Sequence, residues 1–367
     1  MIKLVDLGKQ HKDLEIELMA AIGQIVETSS FIGGKPVTSF ESNFADFCSV
    51  DNLIGVSNGT TAIEVALRAN GVGEGDEVIT VAHTFFATAE AILNVGAKPV
   101  FVDVDLVDGL MDISMIEPAI TKKTKAVIPV HIYGHLVNIK KLKKIADKYG
   151  LIIIEDAAQA HGASAAWGRP GQITEAATFS FYPGKNLGAW GDAGAIATNN
   201  QALAHKYQKI RDHGRITKYE HDVVGMNARM DALQAEVLTI KLSRLRSWNE
   251  RRQEIAFRYI EKFKENGFKV LFQEDSYESA WHLFVVRVAN RDMIQKTFKE
   301  AAIETGIHYP VPLHKQPALQ EMFSGLALPV TERLAKEIIS LPLHPYLTDN
   351  EVSLIIELFL KTAEVAE

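Results

Sequence analysis

Between residues 53 and 204, short apolar runs recur at 53–56, 77–81, 99–104, 126–132, 151–155, 177–181 and 194–198, most of them separated by stretches with helical spacing. Runs of this length, bounded by turn residues, read as strands buried on both faces. Their interleaving with helices predicts an α/β fold: three α/β/α layers around a mixed, mainly parallel, seven-stranded sheet. Only a turn separates the last two runs, so one of them is expected to lie antiparallel to its neighbour. Upstream, Leu14, Leu18, Ile22 and Ile25 fall at helical spacing over 11–28, and Gly33-Gly34 then breaks the pattern into a loop. From Met230 a long amphipathic segment turns Leu233, Val237, Ile240, Leu245 and Trp248 inward, with Lys241, Arg244, Arg246 and Arg251 outward. It leads out of a large domain, residues 1–245. A strand-like run at 281–288 and helical stretches near 293–305 and 350–363 make residues 246–367 a smaller α+β domain.

Composition narrows the field. The 367 residues are 47% hydrophobic and 23% charged, enough for a large core and more than one domain. The balance of 39 basic against 46 acidic residues gives a net charge of -7, and no basic run is flanked by aromatics, so no nucleic-acid partner is expected. The single cysteine, Cys48, excludes an intramolecular disulfide or thiolate cluster and suits a reducing cytoplasm. Asp6 arrives before any signal-peptide core, and no apolar run approaches the about 18 residues of a membrane span. A cytoplasmic chain without membrane contact is expected.

Chemistry concentrates at strand ends. Lys185 sits in Ser180-Phe181-Tyr182-Pro183-Gly184-Lys185-Asn186-Leu187-Gly188, among aromatic and apolar neighbours that favour a desolvated, neutral amine. Asp156 ends the apolar run 151–155 and lies 29 residues before Lys185. A lysine can form a Schiff base with pyridoxal 5'-phosphate (PLP), while an aspartate facing the pyridine nitrogen keeps that ring protonated. The blander reading of Asp156 is a helix cap, and of Lys185 a solvated surface amine. Ser57-Asn58-Gly59-Thr60-Thr61 opens a helix after a strand; it is either an ordinary cap or a phosphate cradle, and Ser180 is placed to add a hydroxyl to it. Gln159 is placed to reach a ring oxygen, and an aromatic of Thr84-Phe85-Phe86-Ala87-Thr88-Ala89, which follows another strand, is placed to stack on a ring or simply to fill core. The twelve histidines are scattered and no His-Glu-x-x-His occurs, so no metal is expected.

Taken together, Gly59-Thr60, Thr84-Phe85, Glu155-Asp156-Ala157-Ala158-Gln159-Ala160-His161-Gly162, the Lys185 segment, Gly191-Asp192-Ala193-Gly194, Arg211-Asp212-His213-Gly214 and Gly225-Met226-Asn227-Ala228-Arg229-Met230-Asp231 resemble the DegT/StrS-type sugar-nucleotide aminotransferases. These are fold-type I PLP enzymes of the aspartate aminotransferase superfamily, and the resemblance runs from the N-terminal helix into the C-terminal domain. It implies that Lys185 is the Schiff-base lysine and proton shuttle. Asp156 holds the pyridine nitrogen, Gln159 the ring hydroxyl and Phe85 the ring face, while Gly59, Thr60 and Ser180 bind the phosphate. It further implies that Asn227 reaches the phosphate of a neighbouring subunit, making a homodimer with shared sites. His308, Tyr309 and His314 then contact the sugar nucleotide, Phe31 lies on a pocket loop, and Arg215 is a further candidate.

The implied reaction moves an amino group from L-glutamate to a keto sugar carried on a nucleoside diphosphate. The Lys185 segment is closer to enzymes acting at C3 than at C4, pointing to a dTDP-3-keto-6-deoxyhexose and to deoxyamino sugars such as those of lipopolysaccharide O-antigen. A 4-keto substrate is the alternative. A non-catalytic PLP-binding regulatory dimer is the other, though retention of Lys185 and Asp156 speaks against it. One departure from the family pattern is His83, where small residues or proline are common.

Overall fold

The computed structural model describes residues 1–272 and 277–366. All seven apolar runs become strands of one sheet: β1 (Asn52–Val56), β2 (Glu77–Val81), β3 (Lys98–Val102), β4 (Thr124–Val127), β5 (Ile152–Asp156) and, after the short β6 (Ser164–Ala165), β7 (Ala176–Ser180) and β8 (Gly194–Thr198). The strand order is β1-β8-β7-β5-β4-β2-β3. From β7 to β3 the strands run parallel, and β8 lies antiparallel between β7 and β1, as the bare turn before it predicts. β4 stops at Val127 rather than 132, because Pro129 has no amide with which to continue the ladder.

The helices of this part are α1 (Leu7–Thr28), α2 (Gly34–Cys48), α3 (Gly59–Ala69), α4 (Ala87–Asn94), the single turn α5 (Ile116–Ala119), α6 (Ile139–Tyr149), α7 (Gln201–Arg211) and the 34-residue α8 (Ala232–Glu265). Alternate strand residues serve opposite cores: Leu53, Ala177, Phe179 and Ala195 pack with α2 and α8, whereas Ile54, Ala176 and Ile196 pack with α3 and α7. Two expectations need correction. The stretch after Gly33-Gly34 is the helix α2 and not a loop; both glycines have positive φ and redirect the chain, after which Val37, Phe40, Phe44 and Cys48 are buried along one face. Lys241 does not point outward. It is fully buried because α1 crosses α8 and covers that side, and its amine donates to the carbonyl of Gly188 at 2.7 Å.

Beyond α8 come β9 (Lys269–Val270), β10 (Tyr277–Glu278), β11 (Phe284–Arg287) and β12 (Ile338–Leu341), with α9 (Arg291–Glu300), α10 (Pro329–Glu337) and α11 (Asp349–Thr362). β12-β11-β9 form a small antiparallel sheet over a core of its own. The boundary drawn after residue 245 falls inside α8, which runs through it unbroken. The smaller unit is also tied to the sheet. Leu271, Leu283, Val285, Leu334 and Ile338 share a core with Val127 and Ile153, and β10 pairs with β6. Among the described residues, no helix is long and apolar enough to cross a membrane.

Asp103, just past β3, caps α10 across this junction. Its carboxylate accepts from the amides of Val330 (2.9 Å) and Thr331 (2.8 Å) and from the Thr331 hydroxyl (2.7 Å), at the helix end that favours an anion. Asp103→Ala should lower the unfolding free energy by about 2 kcal/mol, read as a lower urea midpoint; an unchanged midpoint would show that this cap does not stabilise the chain.

Candidate active site

The C-terminal edge of the sheet opens into a cavity of about 810 Å³, the position at which parallel α/β sheets bind ligands. Asp156, the last residue of β5, is only 6% exposed at its floor. Its Oδ2 accepts from the Thr88 hydroxyl (2.8 Å) and its Oδ1 from the amide of Ala158 (3.2 Å), so both oxygens are oriented before any ligand arrives. Glu155 points to the opposite side, as strand alternation requires. There it accepts from the Gly171 amide (2.8 Å) and the Thr174 hydroxyl (2.6 Å), and meets His131 Nε2 (2.8 Å). His131 Nδ1 accepts from the Val137 amide, so Nε2 carries the proton given to Glu155 and neither nitrogen is free for a metal. Among the described residues, no three His, Cys, Asp or Glu side chains are placed to hold a metal ion.

The phosphate-sized end of the cavity is built on β1 and α3. Asn58 caps α3, its Oδ1 accepting from the Thr61 amide at 2.8 Å, and the amides of Gly59 and Thr60 begin the helix with no carbonyl one turn earlier to take them. A Cβ at Gly59 would lie 2.7 Å from Cβ of Ser180, so only glycine lets this turn approach the end of β7 so closely. The result is a concavity of amides and hydroxyls at the positive end of a helix.

Lys185 follows β7 in a turn closed by its own amide on the Tyr182 carbonyl (2.8 Å). Burial pushes its amine down to about 8, with the Asp156 carboxylate opposing that shift. The next residue anchors the turn. Asn186 Nδ2 donates to the Ala280 carbonyl (2.6 Å) and to Asn249 Oδ1 (2.9 Å), while its Oδ1 faces His282 Nδ1 at 3.1 Å.

Gln159, Phe85, His308 and Tyr309 complete the walls. The Gln159 amide is oriented by the Tyr133 N–H, which donates to its Oε1 (2.7 Å); its Nε2 is left to face the Tyr309 hydroxyl at 3.4 Å. The rings of Phe85 and Tyr309 stand 5.8 Å apart. Four other candidates lie outside this chain's cavity. Phe31 is half-exposed, its carbonyl taking the Ala232 amide (3.0 Å); Arg215 pairs with Asp212 (3.5 Å); and Asn227 Oδ1 accepts from Arg229 (3.0 Å). His314 is buried against Glu332 (2.9 Å), beneath the small unit. Sequence reasoning missed Thr88, Asn186 and His282. The first two stand inside segments it had singled out, but nothing in one dimension shows a threonine hydroxyl meeting a carboxylate 68 residues away.

The donor set fits PLP. An oriented carboxylate suits a pyridine N–H, an amide donor suits a ring oxygen, a helix start that only glycine permits suits a phosphate, and a partly neutral amine suits the aldehyde. In the cofactor-free protein, the rate at which a carbonyl reagent modifies Lys185 should climb with pH and level off near the shifted value of about 8, since the amine is protonated below it and free above it. A rate still climbing toward 10.5 would contradict the burial argument. Asp156→Asn removes the charge that favours the ammonium, so the plateau should then begin at lower pH.

A profile of the DegT/DnrJ/EryC1/StrS aminotransferase family matches residues 12–360. The chain is 42% identical over 357 residues to dTDP-3-amino-3,6-dideoxy-alpha-D-galactopyranose transaminase of Aneurinibacillus thermoaerophilus, covering 97% of this chain and 98% of that protein. It is 40% identical over 355 residues to UDP-2-acetamido-2-deoxy-3-oxo-D-glucuronate aminotransferase of Pseudomonas aeruginosa, covering 97% and 98%. The crystal structure of S. venezuelae DesV in complex with a ketimine intermediate superposes with a TM-score of 0.96 at 38% identity, covering 98% of each chain. The chain belongs to the DegT/DnrJ/EryC1/StrS aminotransferase family, and its cofactor is pyridoxal 5'-phosphate.

Proposed function

We propose that this aminotransferase moves an amino group from L-glutamate to a keto sugar carried on a nucleoside diphosphate, with a dTDP-3-keto-6-deoxyhexose as the substrate. The observation that carries the reading is the placement of the Lys185 amine and the Asp156 carboxylate in one cavity of about 810 Å³ that His308 and Tyr309 also line. The two relatives described above are named for a 3-amino and a 3-oxo sugar, which favours carbon 3 over carbon 4.

Bound PLP supplies an electron-accepting ring and a carbonyl that receives the amino group and passes it on. Asp156, aligned by Thr88 and Ala158, faces the ring nitrogen. Gln159 donates from Nε2 to the ring oxygen, Phe85 covers the ring face, and Gly59, Thr60 and Ser180 take the phosphate. In each half of the transfer Lys185 Nζ takes a proton from the carbon that loses its hydrogen and delivers it, within that same half, to the carbon that gains one, substrate and cofactor carbons exchanging these roles between the halves; a free-amine value of about 8 leaves it enough base to do so near neutral pH.

The same cavity lacks charge for a diphosphate. Lys185 is the sole Lys or Arg among its described lining residues, and Glu64, Glu90 and Asp192 also border it. Asn227, Arg229 and Arg215 stand outside, on a segment whose Ile216, Tyr219, Val223 and Val224 side chains are exposed. An apolar, exposed segment carrying the missing cations is suited to a homodimer in which each chain completes the other's site, with Asn227 reaching the phosphate. On this reading Phe31 and Arg215 also serve the partner's pocket, and His314 supports the sugar wall from behind.

Two measurements test the proposal. The purified protein, loaded with PLP, should lose its yellow absorbance on L-glutamate and regain it with 3-keto nucleotide sugars faster than with 4-keto ones; the reverse preference would overturn the choice of carbon. Lys185→Ala and Asn227→Ala chains, each inactive alone, should recover activity when mixed under subunit exchange. Failure of rescue would mean that each protomer is self-sufficient.

A further inference from the structure

Tyr133 stands just past β4 with φ 62°, a left-handed conformation that is unfavourable for a residue with a Cβ and persists only where its surroundings hold it. Five hydrogen bonds do so, one of them from the amide of Leu283 to its carbonyl (3.3 Å), and the other four lead to different parts of the molecule. Its N–H donates to Gln159 Oε1 (2.7 Å), its carbonyl accepts from the amide of His282 (2.8 Å), and its hydroxyl donates to the carbonyl of His308. A carbonyl can only accept, so the hydroxyl proton is committed to His308. The remaining partner, His83 Nε2 at 2.7 Å, must therefore carry a proton and donate it to the hydroxyl oxygen.

His83 is 2% exposed, and burial pushes its pKa to about 4, so the ring is a neutral imidazole with a single N–H to give. One residue of the large unit thus touches the amide that faces the cofactor position and two segments of the small unit that wall the cavity. His308 is held on its other side by Ser340, 2.8 Å from Nδ1.

We propose that Tyr133, braced by His83, is a positioning residue that sets the distance between Gln159 and the His308–Tyr309 wall, and so aligns the acceptor sugar with the reacting amine. The inference rests on the reading above in one respect, that this wall receives the sugar. An extended sugar nucleotide offers that wall more contacts than a small amino-acid donor does, so its half of the transfer is the more sensitive to where the wall stands.

The test uses the PLP-loaded protein with the keto sugar that it turns over fastest. Tyr133→Phe and His83→Leu should lower kcat/KM for that sugar roughly 3- to 10-fold, the worth of a neutral hydrogen bond, while the single-turnover loss of yellow colour on glutamate stays within about twofold. His83→Gln, which keeps an N–H donor, should recover most of the loss. Equal slowing of both halves, an unchanged kcat/KM for the sugar, or no recovery in His83→Gln would each overturn the proposal. A readout independent of turnover comes from 15N resonances of labelled histidine in the wild-type protein. The His83 ring should be protonated at Nε2 and remain neutral at every pH above about 4, and Tyr133→Phe should shift its Nε2 signal; an Nδ1-protonated or charged ring would refute the brace. If the wild type bleaches with glutamate but accepts no keto sugar, the substrate reading fails instead, and the histidine spectra report on the brace separately.

Discussion

Taking the Lys185 amine out of water is the constraint to which its surroundings answer. A partly buried ammonium is costly, and the chain meets that cost with one carboxylate, Asp156, brought to the same edge of the sheet by a neighbouring strand. β5 and β7 are paired in parallel, so their C-terminal ends emerge side by side, and residues that the sequence separates by a run of turns and the short β6 share one floor. Three polar groups near that floor are aimed by something else: Asp156 by Thr88, Asn186 by Ala280 and Asn249, Gln159 by Tyr133. Orientation built in before binding is what lets a small number of groups act on a charged ring without reorganising around it.

The smaller unit contributes more than cover. Its core merges with that of the sheet through Leu283, Val285 and Leu334, and Asp103 stitches α10 to the end of β3. The wall carrying His308 and Tyr309 is thereby referred to the same framework as the floor. Chemistry assembled from two units needs such cross-ties, because a displacement of about an ångström at the far wall costs a reacting pair its alignment.

The sheet was readable in the sequence because its strands are short apolar runs between turn residues, and even the antiparallel insertion of β8 left a mark, the bare turn preceding it. Asp156 and Lys185 were readable because each is polar at the end of an apolar run. What escaped was whatever depends on a second element. α2 was hidden because two glycines looked like the start of a loop, and its buried face only makes sense against α8 and β1. Lys241 looked solvated because periodicity along one helix says nothing of another crossing it. Thr88, Asn186 and His282 act through partners 68, 63 and 96 residues away, distances over which a linear pattern carries no signal.

The uninterrupted course of α8 has a mechanical meaning. At 34 residues, the helix is a rod of about 50 Å whose first turns lie against the sheet and whose last turns lie under the small antiparallel sheet. Swinging the two units apart at its midpoint would mean breaking consecutive backbone bonds in its interior. The rod therefore behaves as a strut, fixing the spacing between the two units that wall the cavity.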